Sequence, residues 1–82
     1  MVTLNDLKPG EKAEVQACHG QGAVFQRLLE MGFVRGAPLR LVRYAPFGDP
    51  LEVEIRDCHL SLRRSEAAMV EVERAAPQKL RG

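Results

Sequence analysis

The chain has 82 residues, with 12 Lys and Arg set against 11 Asp and Glu for a formal charge of +1, and 45% hydrophobic and 28% charged residues. A chain of this size buries only about 60% of the surface its unfolded form exposes, which leaves room for one small core and argues against a deep enzyme cleft. The near balance of charge speaks against a dedicated nucleic-acid or anionic-membrane binder, which carries a basic excess.

No run of 18 apolar residues is present to span a bilayer. The start, Met1 to Asp6, has neither the basic nor the apolar stretch of a secretory signal. Two cysteines, Cys18 and Cys58, are too few for a disulfide framework. A cytoplasmic protein with reduced thiols is therefore expected.

In chain order, Leu4 and Leu7 precede a Pro9-Gly10 turn. Ala13, Val15 and Ala17 then alternate with Glu14 and Gln16, the period of a half-buried strand. After Gly20 and Gly22 the period changes. Val24, Phe25, Leu28, Leu29 and Met31 form one apolar stripe, which predicts a short helix over 23–31 with Val24, Phe25, Leu28 and Leu29 in the core. Gly32 stands where a left-handed C-terminal cap belongs, and Phe33 is placed to fold back on the last turn.

Beyond the Arg35-Gly36 turn the pattern is that of β-structure. Residues 38–45 form a strand whose alternation slips near Val42, the mark of a bulge. Residues 45–50, Ala-Pro-Phe-Gly-Asp-Pro, form a loop. Leu51, Val53 and Ile55 alternate with Glu52 and Glu54, Asp57-Cys58 makes a tight connection, and His59, Ser61 and Arg63 alternate with Leu60 and Leu62. Ser65 is placed to N-cap a helical turn ahead of the last strand, Val70 to Glu73. Five short strands in so small a chain imply a mainly β fold: a small barrel with one helix after the first strand and a single helical turn before the last. The domain is expected to run over 1–74, with a tail at 75–82.

Several segments together resemble the ferrous iron transport protein A (FeoA) family. They are Leu4-x-x-Leu7-x-x-Gly10-x-x-Ala13-x-Val15, Arg27-Leu28-Leu29-Glu30-Met31-Gly32-Phe33 with Arg35-Gly36, Ala45-Pro46-Phe47-Gly48-Asp49-Pro50, and Leu60-Ser61-Leu62-Arg63-Arg64-Ser65-Glu66-Ala67. The resemblance covers residues 3–73 in the family's order. It implies an SH3-like barrel in the cytosol and a role beside the membrane GTPase-permease FeoB in bacterial ferrous iron uptake. Similar domains end iron-dependent repressors of the diphtheria-toxin-repressor type. With no helix-turn-helix ahead of the barrel, this chain is not expected to be one.

The best candidate for binding is the 46–50 loop, because loops on a rigid scaffold carry function and prolines lower the entropy lost on ordering. Pro46, Phe47, Asp49 and Pro50, with Met31 and Phe33 at the helix exit, are the expected partner-facing residues. Its plain alternative is a stiff hairpin connection with Phe47 covering the barrel end. The repeated pairs Cys18-His19 and Cys58-His59 invite a zinc reading. Adjacent strand residues face opposite ways, however, so one dipeptide does not readily offer both side chains to one ion. At most these four form a surface or intermolecular site for zinc or ferrous iron, across a homodimer, and no cofactor is required. The alternative function is accordingly a divalent-metal sensor or carrier.

An enzyme is not expected. The hydroxyls are Thr3, Ser61, Ser65 and Tyr44, without a nucleophile elbow, and Gly20-x-Gly22 lacks the third glycine of a dinucleotide fingerprint. With no Trp and one Tyr, the aromatic groove of a proline-peptide binder is also missing.

Overall fold

In the computed structural model, which describes residues 1–75, the strands are β1 (Lys12–Cys18), β2 (Pro38–Tyr44), β3 (Leu51–Ile55), β4 (Cys58–Leu62) and β5 (Val70–Arg74). Helix α1 (Ala23–Glu30) follows β1, and the one-turn helix α2 (Arg64–Ala67) precedes β5. Apart from Ala75, the expected tail lies outside the described residues. All strand pairs are antiparallel, in the order β4-β3-β2-β1-β5.

The expected barrel is a curved sheet that does not close, since no ladder joins β4 to β5 among the described residues. The outer edge of β5 is taken by the start of the chain. The Val72 N–H donates to the Val2 carbonyl at 2.8 Å, and Thr3 bridges to Glu71. Those ladder groups are thereby satisfied without β4.

Alternation fails where the sheet bends. The β2–β3 register shifts between Leu41 and Arg43, so Val42 is the bulged residue the sequence indicates. A second shift between Val15 and Ala17 in β1 was not foreseen, and it leaves Ala17 only half-buried instead of core.

The core is wholly apolar, with no buried polar or charged residue among those described. β2 and β3 contribute Leu39, Leu41, Leu51, Val53 and Ile55, against Val15, Leu62, Val70 and Val72 from the other strands. Leu4 and Leu7 are fully buried, brought in by a 3₁₀ turn over Leu4–Asp6. Thr3 caps that turn, its hydroxyl accepting from the Asn5 N–H while Asp6 accepts from the Thr3 N–H.

Two local expectations are corrected. The β3–β4 turn is Arg56-Asp57, with Cys58 already in β4, and both turn residues have positive φ (55° and 72°). That is the primed geometry whose twist suits a two-residue hairpin. Ser65 lies inside α2 and does not cap it. The N-cap position is Arg63, whose N–H donates to Glu66 Oε1 at 2.9 Å.

Helix α1 ends as expected, in a Schellman motif. The Gly32 N–H donates to the Leu29 carbonyl at 3.0 Å and the Phe33 N–H to the Leu28 carbonyl at 3.1 Å, with Gly32 at φ 107°. Of the predicted core stripe, however, only Leu28 is fully buried. Phe25 and Leu29 are half-covered and Val24 is 40% exposed. A helix of eight residues at the side of an open sheet turns one line of side chains inward and leaves the flanks of its apolar stripe in solvent.

Candidate functional site

The 46–50 loop is a built turn that holds one aromatic ring in water. The Gly48 N–H donates to the Ala45 carbonyl at 2.7 Å, closing a β-turn with Pro46 and Phe47 at its centre. Pro46 sets φ for the first central position, and Gly48 takes the positive φ (88°) that a side chain would oppose. The Ala45 N–H donates to the Pro50 carbonyl at 2.9 Å, joining the loop's two ends across the β2–β3 hairpin. At the tip, Phe47 is 98% exposed. The reading of Phe47 as a cover for the barrel end is therefore not met. It packs on nothing among the described residues, an unfavourable placement for a large apolar side chain.

From below, the loop is fixed by α2. Asp49 Oδ1 accepts the Arg64 N–H at 3.0 Å, and Arg64 Nε donates to the Gly48 carbonyl at 2.6 Å. Tyr44 lies beneath, its ring centroid 4.8 Å from Arg64 Cζ, and its hydroxyl donates to the Leu7 carbonyl. Beside the loop is an open cleft lined by Arg27, Asp49, Pro50, Ser61, Arg63 and Glu66. An ion pair between Arg27 and Glu66 crosses it from α1 to α2.

The other expected partner-facing residues are divided by burial. Pro46, Asp49 and Pro50 are exposed. Met31 is half-buried and rests on the core. Phe33 has no accessible surface at all, because the Schellman motif turns it inward against Leu28. Its expected place on a patch gives way to a place in the core.

Cys18, His19, Cys58 and His59 are not brought together. The first pair stands at the end of β1 and the second at the start of β4, with β2 and β3 between them. Each histidine has a glutamate instead: His19 Nε2 lies 2.8 Å from Glu71 Oε1, and His59 Nε2 lies 3.4 Å from Glu54 Oε2. Glu54 also accepts two hydrogen bonds from Arg40, at 3.0 and 3.1 Å. Those bonds hold its carboxyl below the usual range. Partial burial pushes the Cys18 thiol up, away from the thiolate a metal would need. No group of three or more His, Cys, Asp and Glu placed to hold a metal ion occurs among the described residues.

Sequence reasoning passed over Arg64, Tyr44 and Asn5, the residues that support the loop. Arg64 is 16 residues from Gly48 and 59 from Asn5. No local spacing signals such contacts. The one hint available is a lone tyrosine ending a strand just before the Ala45–Pro50 loop.

Comparison with known proteins bears on the whole unit. The family model described as the FeoA domain matches residues 2–74. A relative from Porphyromonas gingivalis, described as an Fe(2+) transport protein A/Fe(2+) transporter FeoB fusion protein, is 43% identical over 70 residues. That match covers 85% of this chain but 8% of the fusion protein, so the chain spans a small part of that relative's length. Among solved structures, the FeoA protein of Chlorobium tepidum superposes with a TM-score of 0.86 at 40% identity, over 98% of this chain and 76% of that one. The FeoA of Stenotrophomonas maltophilia, described as a prokaryotic SH3 domain protein and crystallised with zinc, gives 0.80 at 36% identity, over 89% and 91%.

Proposed function

From the premise that the chain belongs to the FeoA family, we propose that it is an accessory protein of bacterial ferrous iron uptake, docking on the cytosolic part of the FeoB permease and modulating transport without catalysing a reaction itself. The observation that carries this reading is the fused relative, in which an FeoA unit and a FeoB transporter share one chain. No helix among the described residues is long and apolar enough to cross a membrane. In this reading the protein works from the cytoplasm and reaches the membrane through its partner.

Docking is through Phe47 and its turn, Pro46, Asp49 and Pro50, with Met31 at the helix exit as a flank. An aromatic side chain held almost wholly in water on a preformed turn has the attributes of an interface anchor, because little order remains to be imposed on binding. Truncation of such an anchor typically costs about 2 kcal/mol or more, close to thirtyfold in Kd. Calorimetry with the cytosolic region of a FeoB permease is therefore expected to show Phe47→Ala binding at least tenfold more weakly than the natural chain, with unchanged thermal stability. Equal affinity of the folded variant would remove this surface from consideration.

A second reading, a divalent-metal module, draws on the zinc complex of the S. maltophilia protein. The His19–Glu71 and His59–Glu54 pairs each supply two ligands, so a tetrahedral site would need a second molecule. Zinc titration followed at the two imidazole rings decides it. Stoichiometric shifts accompanied by dimerisation favour this reading, and weak shifts without dimerisation dispose of it.

A further inference from the structure

Arg64 makes none of the ion pairs found among the described residues, although its side chain is half-buried. Its guanidinium is held by neutral groups. Nε donates to the Gly48 carbonyl at 2.6 Å, Nη1 approaches Asn5 Oδ1 at 3.4 Å, and the plane lies over the Tyr44 ring. Burying an arginine without a carboxylate forgoes the strongest compensation for its desolvation. In return its fork is fixed in direction, and that direction is the tip of the loop.

The connection runs both ways. Arg64 opens α2, and its backbone N–H would lack a partner inside so short a helix. Asp49 from the loop accepts that N–H. Asn5 closes the third side, its Nδ2 donating to the Arg64 carbonyl at 3.1 Å. One residue therefore ties the loop, α2 and the amino-terminal 3₁₀ turn together, and it grips the carbonyl of Gly48, the residue next to Phe47.

We infer that Arg64 is a positioning residue, which touches no partner itself but holds the Phe47 turn in its presenting conformation. The inference rests on the docking reading for its consequence and on this geometry for its cause. Substitution of the side chain removes the bond to the Gly48 carbonyl and leaves the backbone bond to Asp49 in place. The turn is released at its tip and not at its base. Lysine does not substitute, since a point charge on a flexible stem reproduces neither the fork nor the stacking on Tyr44.

Two measurements test this, one of them without a partner. In the free protein, backbone relaxation of Arg64→Ala is expected to show loss of order at the Phe47 and Gly48 amides, with the Leu28 and Leu62 methyl resonances unmoved. Arg64→Met, which keeps the apolar stem of the side chain but has no N–H to donate to the Gly48 carbonyl, serves if the alanine variant does not fold. Undiminished order at those two amides overturns the inference whatever the partner does. In binding to the FeoB cytosolic region, Arg64→Ala is expected to weaken docking about tenfold, the cost of ordering a freed loop tip. In a Phe47→Ala background the same change is expected to alter docking less than about twofold, because coupled residues are non-additive. Equal effects in both backgrounds overturn it as well. Failure of the docking reading appears separately, as normal binding by Phe47→Ala alone.

Discussion

Phe33→Ala is expected to lower the unfolding free energy by about 3–5 kcal/mol, the range for emptying a core phenylalanine site. Phe33 has no accessible surface and is the largest of the fully buried side chains. It comes from the segment that returns from α1 to the sheet, and its N–H donates to the Leu28 carbonyl. The ring therefore seals two junctions at once, the end of the helix and the inner face of the strands. A domain of this size holds roughly 4–12 kcal/mol in total, at about 0.05–0.15 kcal/mol per residue. Urea denaturation should show the midpoint falling by roughly a quarter or more, or a chain already partly unfolded in buffer. A loss below about 1 kcal/mol would mean that the site collapses or that the ring is not core.

Gly32→Val is expected to cost about 2–3 kcal/mol by the same measurement. Gly32 has φ 107°, outside what an L-residue adopts without penalty, and a β-branched residue is the least able to comply. A Cβ there would also stand 3.1 Å from Arg56 Nε and 3.3 Å from its Cδ. Because that neighbour is a flexible side chain, it can move, and the backbone term dominates. Gly32→Ala should cost less, about 1–2 kcal/mol. The double variant with Phe33→Ala should fall short of the sum, since both changes disrupt one Schellman motif. Full additivity would show that the cap and the ring act independently.

How legible these features were depends on how local their causes are. The Gly32 cap was readable because a helix end needs a positive φ at a fixed place, and glycine supplies it. The Val42 bulge was readable because a slip in a period of two must be absorbed somewhere. Ala17 misled because its bulge follows from pairing with β5, and an alternating run does not disclose its partner. The α1 stripe misled in another way. Its period established that Val24, Phe25, Leu28 and Leu29 share a face, but how wide a neighbour covers that face is a matter of packing. Phe33 and Phe47, two phenylalanines beside glycines, had similar local credentials. One is sealed and the other 98% exposed, and the difference lies in what the chain brings over each.

By itself, then, the sequence determined the element order, the helix cap, the bulge in β2 and the family, all consequences of backbone preferences and periodicities that act within a few residues. Only the tertiary structure decided that the sheet stays open, with the chain's own start on the edge of β5. It alone kept the two Cys-His pairs apart and placed Arg64 under the Phe47 turn. Such contacts join residues as far apart in the chain as Val2 and Val72. Their energy comes from hydrogen bonds and stacking between groups that meet only after the core has formed, so no local pattern in the chain can encode them.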